Sequence, residues 1–263
     1  MKKDFATVIM AAGKGTRMKN DLKAKVMFEV AGKPMIEHVV MLAEALASSS
    51  IIAVVGFQRE SVIAHLRRTS PAVECVVQEP QLGTGHAVMQ TKTLLAGFSG
   101  DVLVLSGDVA LLRVSTVEAL LKFHRHGDAV ATILTADIDD PTGYGRILRD
   151  DKKLVAGIVE QKDATEEQRS VREINSGIYV FDSQRLFEAL AHITTDNAQK
   201  EYYLTDVFRY YWKHGMKVTA MKTKDFNEIR GVNTVGQLEE ANALLLKRNA
   251  GDVSAVQLRG GAA

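Results

Sequence analysis

The segment richest in chemical potential is Ala11-Ala12-Gly13-Lys14-Gly15-Thr16-Arg17-Met18, directly after the first apolar run. Its two glycines let the chain turn tightly and point several N–H groups at one anion, while Lys14 and Arg17 add positive charge at the rim. A polyphosphate suits such a loop. Two better-known phosphate loops fail on spacing: the pattern Gly-x-x-x-x-Gly-Lys-Ser/Thr is absent, and Met18 stands where a dinucleotide loop needs a third small residue. The plainer alternative is a tight strand-to-helix turn with solvated basic side chains.

Further along, polar residues fall at the ends of apolar runs, where an open α/β sheet holds its ligands. Gln78 leads into Gln81-Leu82-Gly83-Thr84-Gly85-His86-Ala87, which opens a helix, and Gly83 there would let a base approach the main chain. Ser106-Gly107-Asp108 closes another run with a carboxylate at its terminus, and Asn233 follows Gly231-Val232. Each residue also has a structural reading: Asp108 as a turn former, Asn233 as a helix cap, Glu160 as a strand-edge charge and Asn175 as a β-turn residue. His86, alone near a helix start, reads as packed and not catalytic. Tyr202 and Tyr203 read as core or subunit-contact aromatics.

These residues need a scaffold, and the hydropathy pattern supplies one. Apolar runs at 6–10, 51–55, 73–77, 102–105, 130–134 and 178–181 alternate with stretches of helical spacing, which is the βαβ rhythm. Met35, Val39, Leu42 and Leu46 form one apolar stripe behind Pro34, and a second helix is expected over 114–124. Runs this continuously apolar are buried on both faces, which implies a mostly parallel sheet between helical layers. After about residue 140 the pattern breaks into short segments at 145–148 and 154–159, a β-rich subregion, and 163–172 reads as a solvated loop or short surface helix. Helical spacing returns over 202–213 and 235–247, and 250–263 reads as a loosely held tail.

The chain has 263 residues, with 33 Lys+Arg against 32 Asp+Glu. A formal net charge of +1 provides no field for a nucleic-acid backbone or an anionic membrane. The single cysteine, Cys75, excludes an internal disulfide and a multi-cysteine zinc site, and its apolar run suggests a buried thiol in a reducing compartment. The first apolar run is too short to span a bilayer and leads into a turn, so a cytoplasmic protein is expected.

Taken together the blocks resemble the sugar-nucleotidyltransferase (nucleoside-diphosphate-sugar pyrophosphorylase) family, from about Ala6 to about Leu238. Besides the loop, Lys25, the Gln81 segment and Gly107-Asp108, the resemblance rests on Asp140-Pro141-Thr142-Gly143-Tyr144-Gly145-Arg146-Ile147, Glu160, Lys162-Asp163-Ala164-Thr165, Glu173-Ile174-Asn175-Ser176-Gly177-Ile178, Glu201-Tyr202-Tyr203-Leu204-Thr205-Asp206 and Gly231-Val232-Asn233. It is strongest to the uridylyltransferases that make UDP-N-acetylglucosamine and pyrophosphate from UTP and N-acetylglucosamine 1-phosphate.

That resemblance implies an α/β, Rossmann-like nucleotide-diphospho-sugar transferase fold in one domain over 1–249, nucleotide-binding to about 135 and sugar-binding and closing beyond it. It implies Mg²⁺ on Asp108 and Asn233, and Arg17 and Lys25 acting on the phosphates. Ala11, Ala12, Gly13, Gly15, Thr16, Thr84 and Gly107 would line the nucleotide, with uracil read by Gln78 and Gly83 and the N-acetylated sugar held by Gly145, Glu160 and Asn175. Ala24, Ser106 and Ala110 stand where the family carries proline, tyrosine and proline, positions expected to flank Lys25 and the sugar pocket. A different sugar 1-phosphate or nucleoside triphosphate, or a non-catalytic nucleotide-sugar-binding relative, are the competing readings. The uridylyltransferases of this type continue into a left-handed β-helix that transfers acetyl groups and forms trimers. No hexapeptide repeat occurs here, so that activity and that trimer are not expected, and a monomer or small homo-oligomer is.

Overall fold

The apolar runs become interior strands, and the stripes between them become helices that cover the resulting sheet. The computed structural model describes residues 4–260, with 251–260 described through the backbone alone. The first half comprises β1 (Phe5–Ala11), β2 (Glu29–Val30), β3 (Lys33–Pro34), α1 (Met35–Ala45), β4 (Ser50–Val55), α2 (Arg59–Thr69), β5 (Glu74–Val77), α3 (Thr84–Met89), β6 (Asp101–Ser106) and α4 (Val114–His126). The second comprises β7 (Ala131–Asp137), β8 (Gly145–Arg149), β9 (Val155–Val159), α5 (Glu166–Arg169), β10 (Glu173–Asp182), α6 (Ser183–Leu190), α7 (Asp206–Lys213), β11 (Val218–Lys222), α8 (Phe226–Ile229) and α9 (Val235–Gly260).

The main sheet has the order β11-β7-β10-β6-β1-β4-β5. Strand β1 is parallel to β4 and β6, β4 to β5 and β11 to β7, whereas β10 runs antiparallel to both β6 and β7. The sheet is therefore Rossmann-like, mixed and mostly parallel. Strand β10 bends between Asn175 and Tyr179, where its register to β7 shifts, and its first residues pair with β8, which pairs in turn with β9. Before that bend β10 pairs with both β7 and β8, so the β-rich subregion branches from the same sheet, with Asn175 opposite Gly145 at the branch.

Two apolar cores lie on the two faces. One joins α1, α2 and α4 to the sheet through Ile36, Val40, Leu66, Leu103, Leu120 and Val180, and the other joins α6 and α7 through Val8, Val104, Tyr179, Phe181, Leu186 and Phe208. A third, smaller cluster packs α9, by Ala241 and Leu245, against Val30, Met35, Leu111 and Val232. It fastens the end of the chain to the loop after β6, reinforced by Arg248 donating to the Leu111 carbonyl at 2.9 Å and by the Ala31 N–H donating to Asn242 Oδ1 at 2.7 Å.

The structure departs from the sequence expectations in three places. Helix α7 begins at Asp206, because Tyr203, Leu204 and Thr205 form a buried turn beside the site. The helix expected over 235–247 continues to Gly260, so the boundary read at 250 falls inside α9; residues 261–263 of the expected tail lie outside the described residues. Strand β5 is a sheet edge, so Cys75 is only half-buried. Burial still pushes its thiol pKa up.

Candidate active site

Strand β1 delivers Ala11 and Ala12, both buried, into the glycine-rich turn. Gly15 has φ 64° and leads into a short 3₁₀ turn over Thr16–Met18. A Cβ added at Gly15 would lie 2.6 Å from Lys25 Cβ, so only glycine permits both the backbone conformation and this approach. Among the described residues the N–H groups of Gly13, Lys14, Gly15 and Thr16 donate to no protein acceptor, which leaves a row of main-chain donors for an anion. Lys14 sits over the Phe57 ring and 3.7 Å from Asp21, at the rim.

Asp108 follows β6, 8% exposed, with its carboxylate held from two sides. Ser106 Oγ donates to Oδ1 at 2.6 Å, and the Lys25 ammonium donates to Oδ2. The same ammonium donates to Asn233 Oδ1 at 2.6 Å, and Arg17 Nη2 donates to that oxygen at 2.8 Å. Asn233 is held with Oδ1 inward because its Nδ2 donates to the Gly231 carbonyl at 3.1 Å and its backbone N–H to Gln237 Oε1 at 2.8 Å. The Val232 N–H donates to the Asp108 carbonyl at 3.2 Å, tying the two loops together. A carboxylate oxygen and an amide oxygen, 125 positions apart in sequence, thus converge on one cationic point.

That donor set fits Mg²⁺, which takes oxygen ligands and keeps several waters. Among the described residues no group of three or more His, Cys, Asp or Glu is placed to hold a metal ion, so a metal here would rest on Asp108 with Asn233.

A cavity of about 410 Å³ is lined by Ala11, Ala12, Gly13, Lys25, Gln78, Gly83, Thr84, Ser106 and Asp108. Gly83, with φ 104°, has the Tyr202 carbonyl 2.7 Å from where a Cβ would be, and Tyr202 N–H in turn donates to the Leu82 carbonyl at 2.8 Å. A second cavity of about 200 Å³ shares Met10 and Thr84 with the first and is lined by Gly143, Tyr144, Gly145, Glu160, Asn175 and Thr205. Glu160 Oε1 accepts from Thr205 Oγ1 at 3.0 Å. Burial raises its pKa, and the neighbouring Asp163 and Asp206 carboxylates act in the same direction against the Thr205 hydrogen bond. Asn175 Nδ2 donates to the Tyr179 hydroxyl at 2.7 Å, and burial keeps that phenol protonated.

The structure thus gathers Ala11, Ala12, Gly13, Lys25, Gln78, Gly83, Thr84 and Asp108 at one cavity and Gly145, Glu160 and Asn175 at its neighbour. Arg17 and Asn233 join the first group by hydrogen bonds, Gly15 by packing on Lys25, and Gly107 by packing on Val26 and Ala11. Thr16 lies on the exposed side of the loop and lines neither cavity. Ser106 lines the larger cavity and not the smaller, so this departure from the family pattern bears on the Asp108 carboxylate and not on the pocket of Glu160 and Asn175.

Residue reading did not single out Thr205 or Tyr179 for the site, nor the guanidinium of Arg146, which is 1% exposed. Arg146 donates to the Tyr144 carbonyl, and to Gln161 Oε1 at 2.8 Å; the Gly143 N–H donates to the same Gln161 oxygen at 3.2 Å. Together they pin the loop over the smaller cavity. The one available signal was an arginine between Gly145 and the apolar pair Ile147-Leu148 of a short strand.

A family model for nucleotidyl transferases matches residues 6–245. Proteins named Bifunctional protein GlmU are 48% identical over 241 residues in Enterococcus faecalis and 49% identical over 248 residues in Listeria monocytogenes. Those alignments cover 92% and 94% of this chain but 52% and 53% of the relatives, so the chain spans about half the length of the curated relatives it matches. Among solved structures, a UDP-glucose pyrophosphorylase complexed with UDP-glucose superposes with a TM-score of 0.75 at 18% identity, over 93% of this chain and 99% of that one. At that identity the likeness is one of fold. The chain belongs to the nucleotidyl transferase family. Among the described residues no helix is long and apolar enough to cross a membrane.

Proposed function

We propose that this chain is a uridylyltransferase that joins UTP and N-acetylglucosamine 1-phosphate to give UDP-N-acetylglucosamine and pyrophosphate. The observation that carries the reading is the meeting of the Asp108 and Asn233 oxygens at the Lys25 ammonium, beside a turn of free main-chain donors. The motif blocks and the identity to the GlmU proteins support the uridylyl and N-acetylglucosamine parts of it.

A phosphate oxygen of the sugar 1-phosphate attacks the α-phosphorus of UTP in line, and pyrophosphate leaves. The nucleophile is already ionised, so no protein base is needed, and the task is to position two polyanions and stabilise the charge that builds on the leaving group. The donors of Gly13 to Thr16 and the Arg17 guanidinium take phosphate oxygens. Lys25 exchanges its carboxylate and amide partners for phosphate. Asp108 and Asn233 would hold Mg²⁺, which when bound neutralises phosphate charge. Gln78 and Gly83 read the uracil edge, and Gly145, Glu160 and Asn175 hold the sugar.

The test is pyrophosphate release across a panel of nucleoside triphosphates and sugar 1-phosphates, with and without chelator. The expected result is turnover only with divalent metal, greatest for UTP with N-acetylglucosamine 1-phosphate. Turnover with another pair and none with UTP would replace the uridylyl reading. Nucleotide-sugar binding without any pyrophosphate exchange would favour a binding protein.

A further inference from the structure

We infer that His86 is a positioning residue that sets the base preference, by holding the Gln78 amide one way round. The inference rests on the uridylyl reading and extends it to a residue outside the substrate contacts.

Gln78 is 3% exposed and lines the larger cavity. Its Nε2 donates to the Gly83 carbonyl at 2.9 Å and lies 3.2 Å from His86 Nδ1. A carbonyl oxygen only accepts, so the amide nitrogen must face Gly83. The second amide hydrogen then meets His86 Nδ1, which must carry a lone pair, so the imidazole proton belongs on Nε2. The ring is stacked on Tyr202, with centroids 6.2 Å apart, and the His86 carbonyl accepts from Gln90 Nε2 at 2.9 Å.

With both amide hydrogens engaged, the atom of Gln78 left for a ligand is Oε1, which accepts no hydrogen bond among the described residues. Uracil presents an N3–H donor to such an oxygen. Cytosine presents the lone pair of an unprotonated N3, which an acceptor repels. Two anchors therefore turn an ambidextrous amide into a fixed acceptor, and His86 is the anchor that a substitution can remove without touching the main chain.

The test compares UTP and CTP binding by calorimetry in the full chain, without sugar phosphate, so that no turnover is required. His86→Phe keeps a ring against Tyr202 and removes the acceptor; His86→Asn restores an acceptor near the same position. The wild type is expected to prefer UTP, His86→Phe to lose about tenfold of that preference mainly through weaker UTP binding, and His86→Asn to regain most of it. An unchanged preference in His86→Phe, or equal weakening for both nucleotides, overturns the inference. A wild type with no preference for UTP overturns the uridylyl reading itself, and the inference with it. A second measurement needs no variant: ¹⁵N NMR of the wild-type imidazole is expected to show the proton on Nε2, and a proton on Nδ1 overturns the proposal.

Discussion

Asp108 and Glu160 are two carboxylates in neighbouring cavities with different surroundings. Asp108 is met by an ammonium and a serine hydroxyl, which fix the position of its carboxylate. Asp108→Asn preserves the shape, so turnover with metal should fall at least about a hundredfold while the melting temperature moves by only a few degrees; near-normal turnover would remove Asp108 from the metal site. Glu160 is enclosed, and its pKa is raised chiefly by burial. The folded state therefore binds its proton more readily than the unfolded state, and stability falls as pH rises from the ordinary carboxylate range through the raised value. Glu160→Gln escapes that loss. Urea unfolding should show the variant gaining on the wild type as pH goes from 4 to 8, while its KM for the sugar phosphate rises at every pH. A stability advantage that grows toward low pH would contradict the assignment. The residue types were legible in the sequence, because an aspartate at a strand end and a glycine-rich turn carry their chemistry openly. Thr205 and Tyr179 were not, because nothing in the sequence reveals that they lie against Glu160 and Asn175 across 45 and four positions.

The elements were read well where burial alone decides them. The six apolar runs all became strands, and the stripes behind Pro34 and over 114–124 became α1 and α4. Strand direction was not legible, since residues 178–181, buried on both faces, look the same whether their neighbours run with or against them. The reversal of β10 between β6 and β7 and its bend at Asn175 are features of strand pairing, which a run of apolar residues does not encode. Helix α6, of 8 residues, and strand β11, of 5, escaped notice because each is too short for its periodicity to stand out. At this scale the glycine-rich turn makes a sharp prediction. Gly15→Ala places an L-residue at φ 64° and a methyl group 2.6 Å from Lys25 Cβ. The backbone conformation alone costs about 1–2 kcal/mol, to be read as a lowered urea midpoint. Displacement of Lys25 should weaken triphosphate binding further. Full UTP affinity in a Gly15→Ala protein would show that the turn does not cradle phosphate.

At the scale of the whole molecule, three distant stretches must close on one point: the turn and Lys25 from the first strand's end, Asp108 after β6, and Asn233 before α9. The third apolar cluster does this work by holding α9 against the hairpin β2-β3 and the loop after β6, with the Val232 N–H on the Asp108 carbonyl. Composition foretold the ingredients but not this closure, because the hydrogen bonds that make it join residues 83 to 216 positions apart. The most direct test is a crystal of the protein with UTP and Mn²⁺, located by anomalous scattering. The account predicts the ion on the Asp108 carboxylate and the Asn233 amide oxygen, the triphosphate on the turn from Gly13 to Arg17, and uracil at Gln78. An ion elsewhere, or a nucleotide bound without engaging that turn, would contradict it.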